Sequence, residues 1–286
     1  MRMKMSPLSK LYVVFIMMLL YAPIVVMIVF SFNASASTSV MTGFSFKWYE
    51  SLLHDSATIN ALKNTLILAV SSSLIATVMG TAAAVGLNVY KNKYIKKTVM
   101  GVTNIPMMNP EIVTGISMML LFVFCARLIG VTDALGFGTM LVAHVTFNLP
   151  YVILSVLPKL RRMDKYLPEA AMDLGCTPIQ SFFKVTLPSI STGIVSGLMM
   201  SFTLSLDDFV ISYFNTEGDF QTLPIYIFGM TKRTVTPDIY SLSTLLFVSV
   251  LLLLILSNVM QGYAERKEQR KIAAQAGVRR KRKGAK

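Results

Sequence analysis

Charge is scarce in this chain. Only 14% of its residues are Asp, Glu, Lys or Arg, while 54% are hydrophobic and the mean hydropathy is +0.61. Soluble domains carry about a quarter charged residues, so a water-solvated fold is excluded and a lipid-solvated one is indicated. Cysteine is almost missing: Cys125 lies in an apolar run and Cys176 in a polar stretch far from it, which leaves no disulfide framework. Histidine is limited to His54 and His144, and no H-E-x-x-H, G-x-S-x-G or Cys/His cluster occurs, so metal-site and hydrolase chemistry lack their residues. A G-x-x-x-x-G-K-[ST] phosphate loop is also absent. No repeat of 20 to 50 residues is visible, and no segment is large enough to form a separate soluble domain.

What is abundant is apolar length. Crossing the hydrocarbon core takes about 20 apolar residues in a helix. Six segments come near that length, at 11–32, 64–89, 98–127, 138–158, 189–212 and 241–262, and they predict an all-α integral membrane protein with six transmembrane helices. Residues 1–262 form the transmembrane domain and 263–286 a basic tail. Of 27 Lys and Arg, 22 fall on the side of the termini and 5 on the other, so both termini are expected in the cytoplasm. The basic clusters sit between apolar runs rather than along one face, which fits membrane topology and lipid contact, not nucleic acid. Arg2 and Lys4 before the first run and Ala34-Ser35-Ala36 after it resemble a signal peptide. The run from Leu11 to Phe32 is too long for a signal core, however, and a retained span is expected.

Two spans carry irregularities. Pro106 and Pro110 predict a kink or break in the third, because each removes a backbone donor. The fifth places Ser189, Gly193, Gly197, Ser201 and Ser205 at a spacing of four, a small-residue ridge for close helix packing. Between spans four and five, the loop 159–188 reads as two short helices. The first runs from near Pro168 to Leu174 and stops at Gly175. The second starts with Thr177 as N-cap, Pro178 in the first position and Gln180 three residues after the cap.

The run Glu169-Ala170-Ala171, then Gly175, nine residues, and Val185-Thr186-Leu187-Pro188 resembles the EAA loop of ABC-importer permeases, with Val185 where Ile is usual. The resemblance implies a type I importer fold in which Glu169, Ala170, Ala171, Asp173, Leu174 and Gly175 couple to a separate ATPase dimer. ATP and Mg would then be held by that partner, and this chain would have no cofactor and no enzymatic activity of its own.

Ionisable side chains within spans are costly and serve as functional candidates by default. Glu111, in the interrupted third segment, and the pair Asp207 and Asp208, toward the end of the fifth, are such residues. Adjacent residues on a helix diverge by about 100°, so only one of the pair needs to face a path; the alternative for the pair is a solvated outer helix end or an internal hydrogen-bonded brace. Acidic groups suit a cationic cargo, and Trp48, Tyr49, Tyr213, Phe214 and Tyr226 offer ring faces for an ammonium group or anchors at the interface.

The stretches Tyr21-Ala22-Pro23-Ile24-Val25, Phe46-Lys47-Trp48-Tyr49, Met107 to Val113 and Ser201 to Asp208 resemble spermidine/putrescine permeases. The resemblance implies polyamine cargo passing Asp207, Asp208, Glu111, Trp48 and Tyr213. It also implies a homologous second permease, an extracytoplasmic polyamine-binding protein and a bacterial cytoplasmic membrane. An iron chelate or other solute, or a stand-alone secondary cation transporter, are the alternatives left by the residues themselves.

Overall fold

The computed structural model describes residues 6–35, 40–90, 92–132, 134–218, 220–232, 238–256, 258, 259, 262 and 263. Arg2, Lys4, Ala36 and the basic tail from 264 lie outside them. Among the described residues, β structure is limited to an isolated bridge between Asn33 and Phe44. Among the described residues, five helices are long and apolar enough to cross a membrane: α1 (Pro7–Phe30), α3 (Ser56–Val89), α5 (Glu111–Ile129), α6 (Phe137–Arg162) and α13 (Asp238–Leu256). A sixth span is obtained if Pro178–Ser189 and Ser191–Asp207, bent by 67°, are taken together.

The chain divides into two units, Met1–Leu62 with Leu223–Ser249, and Lys63–Thr222 with Val250–Lys286. In the first unit, α1 contains no buried residue, as suits a helix whose apolar surface is left for lipid or another chain. The amphipathic α2 (Lys47–His54), the first turns of α3, α12 (Leu223–Thr231) and α13 meet around Leu52, Ala61, Leu223 and Leu242, with Tyr226 and Met230 against them. Asp55 starts α3 by accepting the backbone N–H groups of Ala57 and Thr58 and the Thr58 hydroxyl at 2.6 Å. Tyr226 donates its hydroxyl to the same carboxylate at 3.0 Å, and Ser241 donates to the Ser31 carbonyl.

In the second unit α6 is the central helix, and its Val152, Ile153, Val156, Leu157 and Leu160 form a core with Ala76, Ala84 and Leu87 of α3 and with Ile190. Small residues permit this packing. A Cβ at Gly80 would lie 2.7 Å from the Val152 side chain, and one at Gly193 would lie 2.8 Å from the Ser155 carbonyl oxygen. The expected ridge on α10 (Ser191–Asp207) is therefore a packing face, with Gly193, Gly197, Ser201 and Ser205 buried. Ser189 precedes the bend instead, and its hydroxyl turns back to the Val185 carbonyl.

Two segments differ from single regular spans. The third is divided into α4 (Lys93–Met108) and α5, because Pro110 cannot donate and Asn109 before it is extended. Glu111 accordingly begins α5. The fifth segment stops at Asp207 and restarts as α11 (Val210–Asn215), after Asp208 takes an extended conformation.

Candidate functional site

The loop following α6 is folded tightly. In α7 (Leu167–Asp173), Glu169 lies in the first turn, where a carboxylate favours the helix dipole, and Gly175 closes the end at φ +91°, a left-handed conformation that a side chain would strain. In α8 (Pro178–Ser181), the Gln180 N–H donates to the Thr177 hydroxyl, and the Thr177 N–H donates to Gln180 Oε1. A π-helical turn, Phe182–Thr186, and the short α9 (Leu187–Ser189) lead to the bend. The buried Ser181 hydroxyl donates to the Pro168 carbonyl at 3.0 Å and ties α8 to α7. Glu169, Ala170, Asp173, Leu174 and Gly175 are exposed on this element, and Ala171 is buried within it. Leu174 is 88% exposed and Ile179 71%, so two apolar side chains stand outward from a rigid turn.

The adjacent carboxylates at the α10 end part company. Asp207, the last residue of α10, is exposed. The Asp208 side chain is only 5% exposed and points inward. It accepts the N–H groups of Ile211 at 3.3 Å and Ser212 at 2.8 Å, which caps α11 and explains the break. The buried imidazole of His144 on α6 lies 3.4 Å from the same carboxylate and 3.0 Å from the Ser212 hydroxyl.

Glu111, exposed at the start of α5, is within electrostatic reach of both Asp207 and Tyr151. The two exposed acids thus share one region, although 96 positions separate them in sequence. Tyr213 on α11 packs its ring between Phe209 and Phe214. Trp48 belongs to the other unit. Its indole N–H donates to the Asn33 carbonyl at 2.7 Å, and its ring already carries the Lys47 ammonium, 5.4 Å from the centroid.

Buried polar groups that sequence reasoning did not single out connect the helices of the second unit. Asn148 of α6 donates to the Ser205 hydroxyl at 2.7 Å, and Ser72 of α3 donates to it at 2.9 Å. Asn215 of α11 donates to the Gly115 carbonyl of α5 at 3.3 Å. A polar side chain inside an apolar run is the one sequence signal these residues give, since their partners lie 57 to 133 positions away.

The binding-protein-dependent transport system inner membrane component family matches residues 76–270. Over 253 residues the chain is 37% identical to the putrescine transport system permease protein PotI of Escherichia coli K12, covering 88% of this chain and 90% of that one. It is 36% identical over 241 residues to the spermidine/putrescine transport system permease protein PotC of Haemophilus influenzae, covering 84% and 91%. A bacterial ABC transporter involved in the import of the acidic polysaccharide alginate has the same fold, with a TM-score of 0.69 at 17% identity over 88% of this chain and 92% of that one. The MetNI methionine ABC transporter gives 0.57 at 19% identity, over 72% and 94%. The helical architecture, the folded loop after α6 and these likenesses agree: the chain belongs to the binding-protein-dependent inner membrane permease family, as a multi-pass transport subunit and not an enzyme.

Proposed function

We propose that the chain forms half of the translocation path of an ATP-driven importer for polyamines of the spermidine/putrescine class. The observation that carries the cargo assignment is the convergence of Glu111 and Asp207, two exposed carboxylates in electrostatic reach at helix breaks. A polyamine carries several spaced ammonium groups, and several weak, screened acidic contacts let it enter and leave. The names of the PotI and PotC relatives support the same cargo. Trp48 contributes less than Tyr213 in this scheme, because Lys47 already covers its ring.

The remaining assignments follow from the importer reading. A homologous permease completes the path, an extracytoplasmic polyamine-binding protein delivers the cargo, and an ATPase dimer holding ATP and Mg docks on the 167–181 element through Glu169, Ala170, Asp173, Leu174 and Gly175. Ala171 supports that surface from within. Both termini face the cytoplasm, and residues 1–262 serve as the permease domain ahead of the basic tail.

The test is uptake of labelled spermidine into proteoliposomes containing this chain, its partner permease and its ATPase, with binding protein outside and ATP inside. Accumulation that requires both ATP and binding protein is the expected result. ATPase stimulation without spermidine movement would remove the cargo and redirect the assay to iron chelates and other solutes. Gradient-driven uptake by the chain alone would indicate a secondary transporter.

A further inference from the structure

We propose that His144 is a positioning residue of the transport path: by holding Asp208 inward it fixes the break between α10 and α11 and the outward presentation of Asp207. The inference rests on the reading of Asp207 as a path residue. His144 is 1% exposed and belongs to α6, the central helix of its unit. Its Nε2 reaches both Asp208 and Ser212, at 3.4 and 3.0 Å. In the tautomer protonated at Nε2, a neutral imidazole donates to the Ser212 hydroxyl and sets its N–H beside the nearly buried carboxylate, which takes its hydrogen bonds from two N–H groups of its own segment.

The clamp decides the local backbone. In a continuous helix the Ser212 N–H would bond to the backbone carbonyl of Asp208, but here it bonds to the carboxylate. Extending α10 through Asp208 would strip that carboxylate of its donors while leaving it walled in, which is the more costly arrangement. The break therefore persists while His144 and the α11 N–H groups hold Asp208, and Asp207 remains at an exposed helix end. The far end of α11 is tied as well, because Asn215 donates to Gly115, four residues beyond Glu111 on α5. A short helix anchored to α6 at one end and to α5 at the other sets the spacing of the two exposed carboxylates. No charge on His144 is required, and no contact between His144 and cargo.

A double-mutant comparison in the reconstituted full complex tests this, with spermidine as the probe. His144→Ala should lower the maximal uptake rate by about tenfold, the size expected for loss of the cross-helix hydrogen bond to Ser212 together with the N–H beside Asp208. His144→Gln keeps an N–H donor and should recover most of that loss. In an Asp207→Asn background, adding His144→Ala should change uptake by less than about twofold, because the residue acts through Asp207. Ser212→Ala, run in parallel, loosens the same clamp from α11 and gives the same comparison should His144→Ala reduce assembly. A His144→Ala or Ser212→Ala loss that appears in full on top of Asp207→Asn overturns the proposal, since it would mark a general packing role. Asp207→Asn transporting like the parent overturns the path reading itself and this inference with it, an outcome distinct from additivity.

Discussion

A carboxylate beside water and one enclosed by helices have opposite requirements, and neighbouring residues 207 and 208 show both. The Asp207 side chain ends α10 exposed, whereas Asp208 is enclosed and takes its hydrogen bonds from the N–H groups of Ile211 and Ser212 beside the His144 imidazole. Their substitutions should therefore separate. Asp207→Asn and Glu111→Gln should raise the half-saturating concentration of loaded binding protein or lower spermidine uptake, with melting temperature in detergent unchanged. Asp208→Asn should lower the melting temperature, because Ile211 and Ser212 bond to different carboxylate oxygens and the amide would set its NH2 against one of those N–H groups. Equal thermal losses at 207 and 208 would contradict the division. Asp55 offers a separate check through pH. The Thr58 hydroxyl, with smaller help from Tyr226 and the N–H groups of Thr58 and Ala57, holds its carboxyl below the ordinary value of 3.8 against the opposing effect of burial. A folded pKa below the unfolded one gives stability that is present above the unfolded value and is lost as pH falls through the folded one. Asp55→Asn should accordingly melt lower than the parent at neutral pH, and the gap should narrow below pH 3.8.

Helix contact in this permease depends on the absence of side chains at a few points, which makes glycine substitutions informative. A Cβ at Gly193 meets a backbone oxygen at 2.8 Å and cannot be relieved by a rotamer change, while one at Gly86 meets nothing within 4 Å. Gly193→Ala should destabilise by about 1–3 kcal/mol despite its better helix propensity. Gly86→Ala should be neutral or stabilise by up to about 1 kcal/mol, and thermal unfolding of the two variants measures the contrast. This ridge was readable in the sequence because a spacing of four fixes one helix face without reference to a partner. The same holds for the Thr177–Gln180 cap, the Gly175 stop and the break before Glu111, which are all set by residues within about four positions. The end of α10 at Asp207 was not readable. It depends on Asp208 turning inward toward His144, 64 positions earlier, and apolar periodicity carries no record of that contact. Convergence of Glu111 and Asp207 was hidden for the same reason, since it depends on how α5, α10 and α11 pack.

At the scale of the whole molecule, orientation and coupling meet in the folded loop after α6. In the proposed orientation that loop is cytoplasmic, and a separate ATPase would find Leu174 and Ile179 projecting from a turn braced by Ser181 and the Thr177 cap. A native reporter is already present. Cys176 is a free thiol of intermediate exposure between α7 and α8, and the other cysteine, Cys125, is removable as Cys125→Ser. In that background a membrane-impermeant maleimide should label Cys176 in inside-out vesicles and not in right-side-out ones. Labelling from the outer face would reverse the topology and with it the docking assignment. Assembly with the ATPase supplies the second comparison, because a partner seated over 167–181 should slow the reaction at Cys176 severalfold. The same partner should leave labelling of a cysteine introduced at Lys47 unchanged. Slowing at both positions would indicate a general loss of accessibility, whereas slowing confined to Cys176 locates the ATPase on the loop and ties ATP hydrolysis to the helix that ends at Asp207.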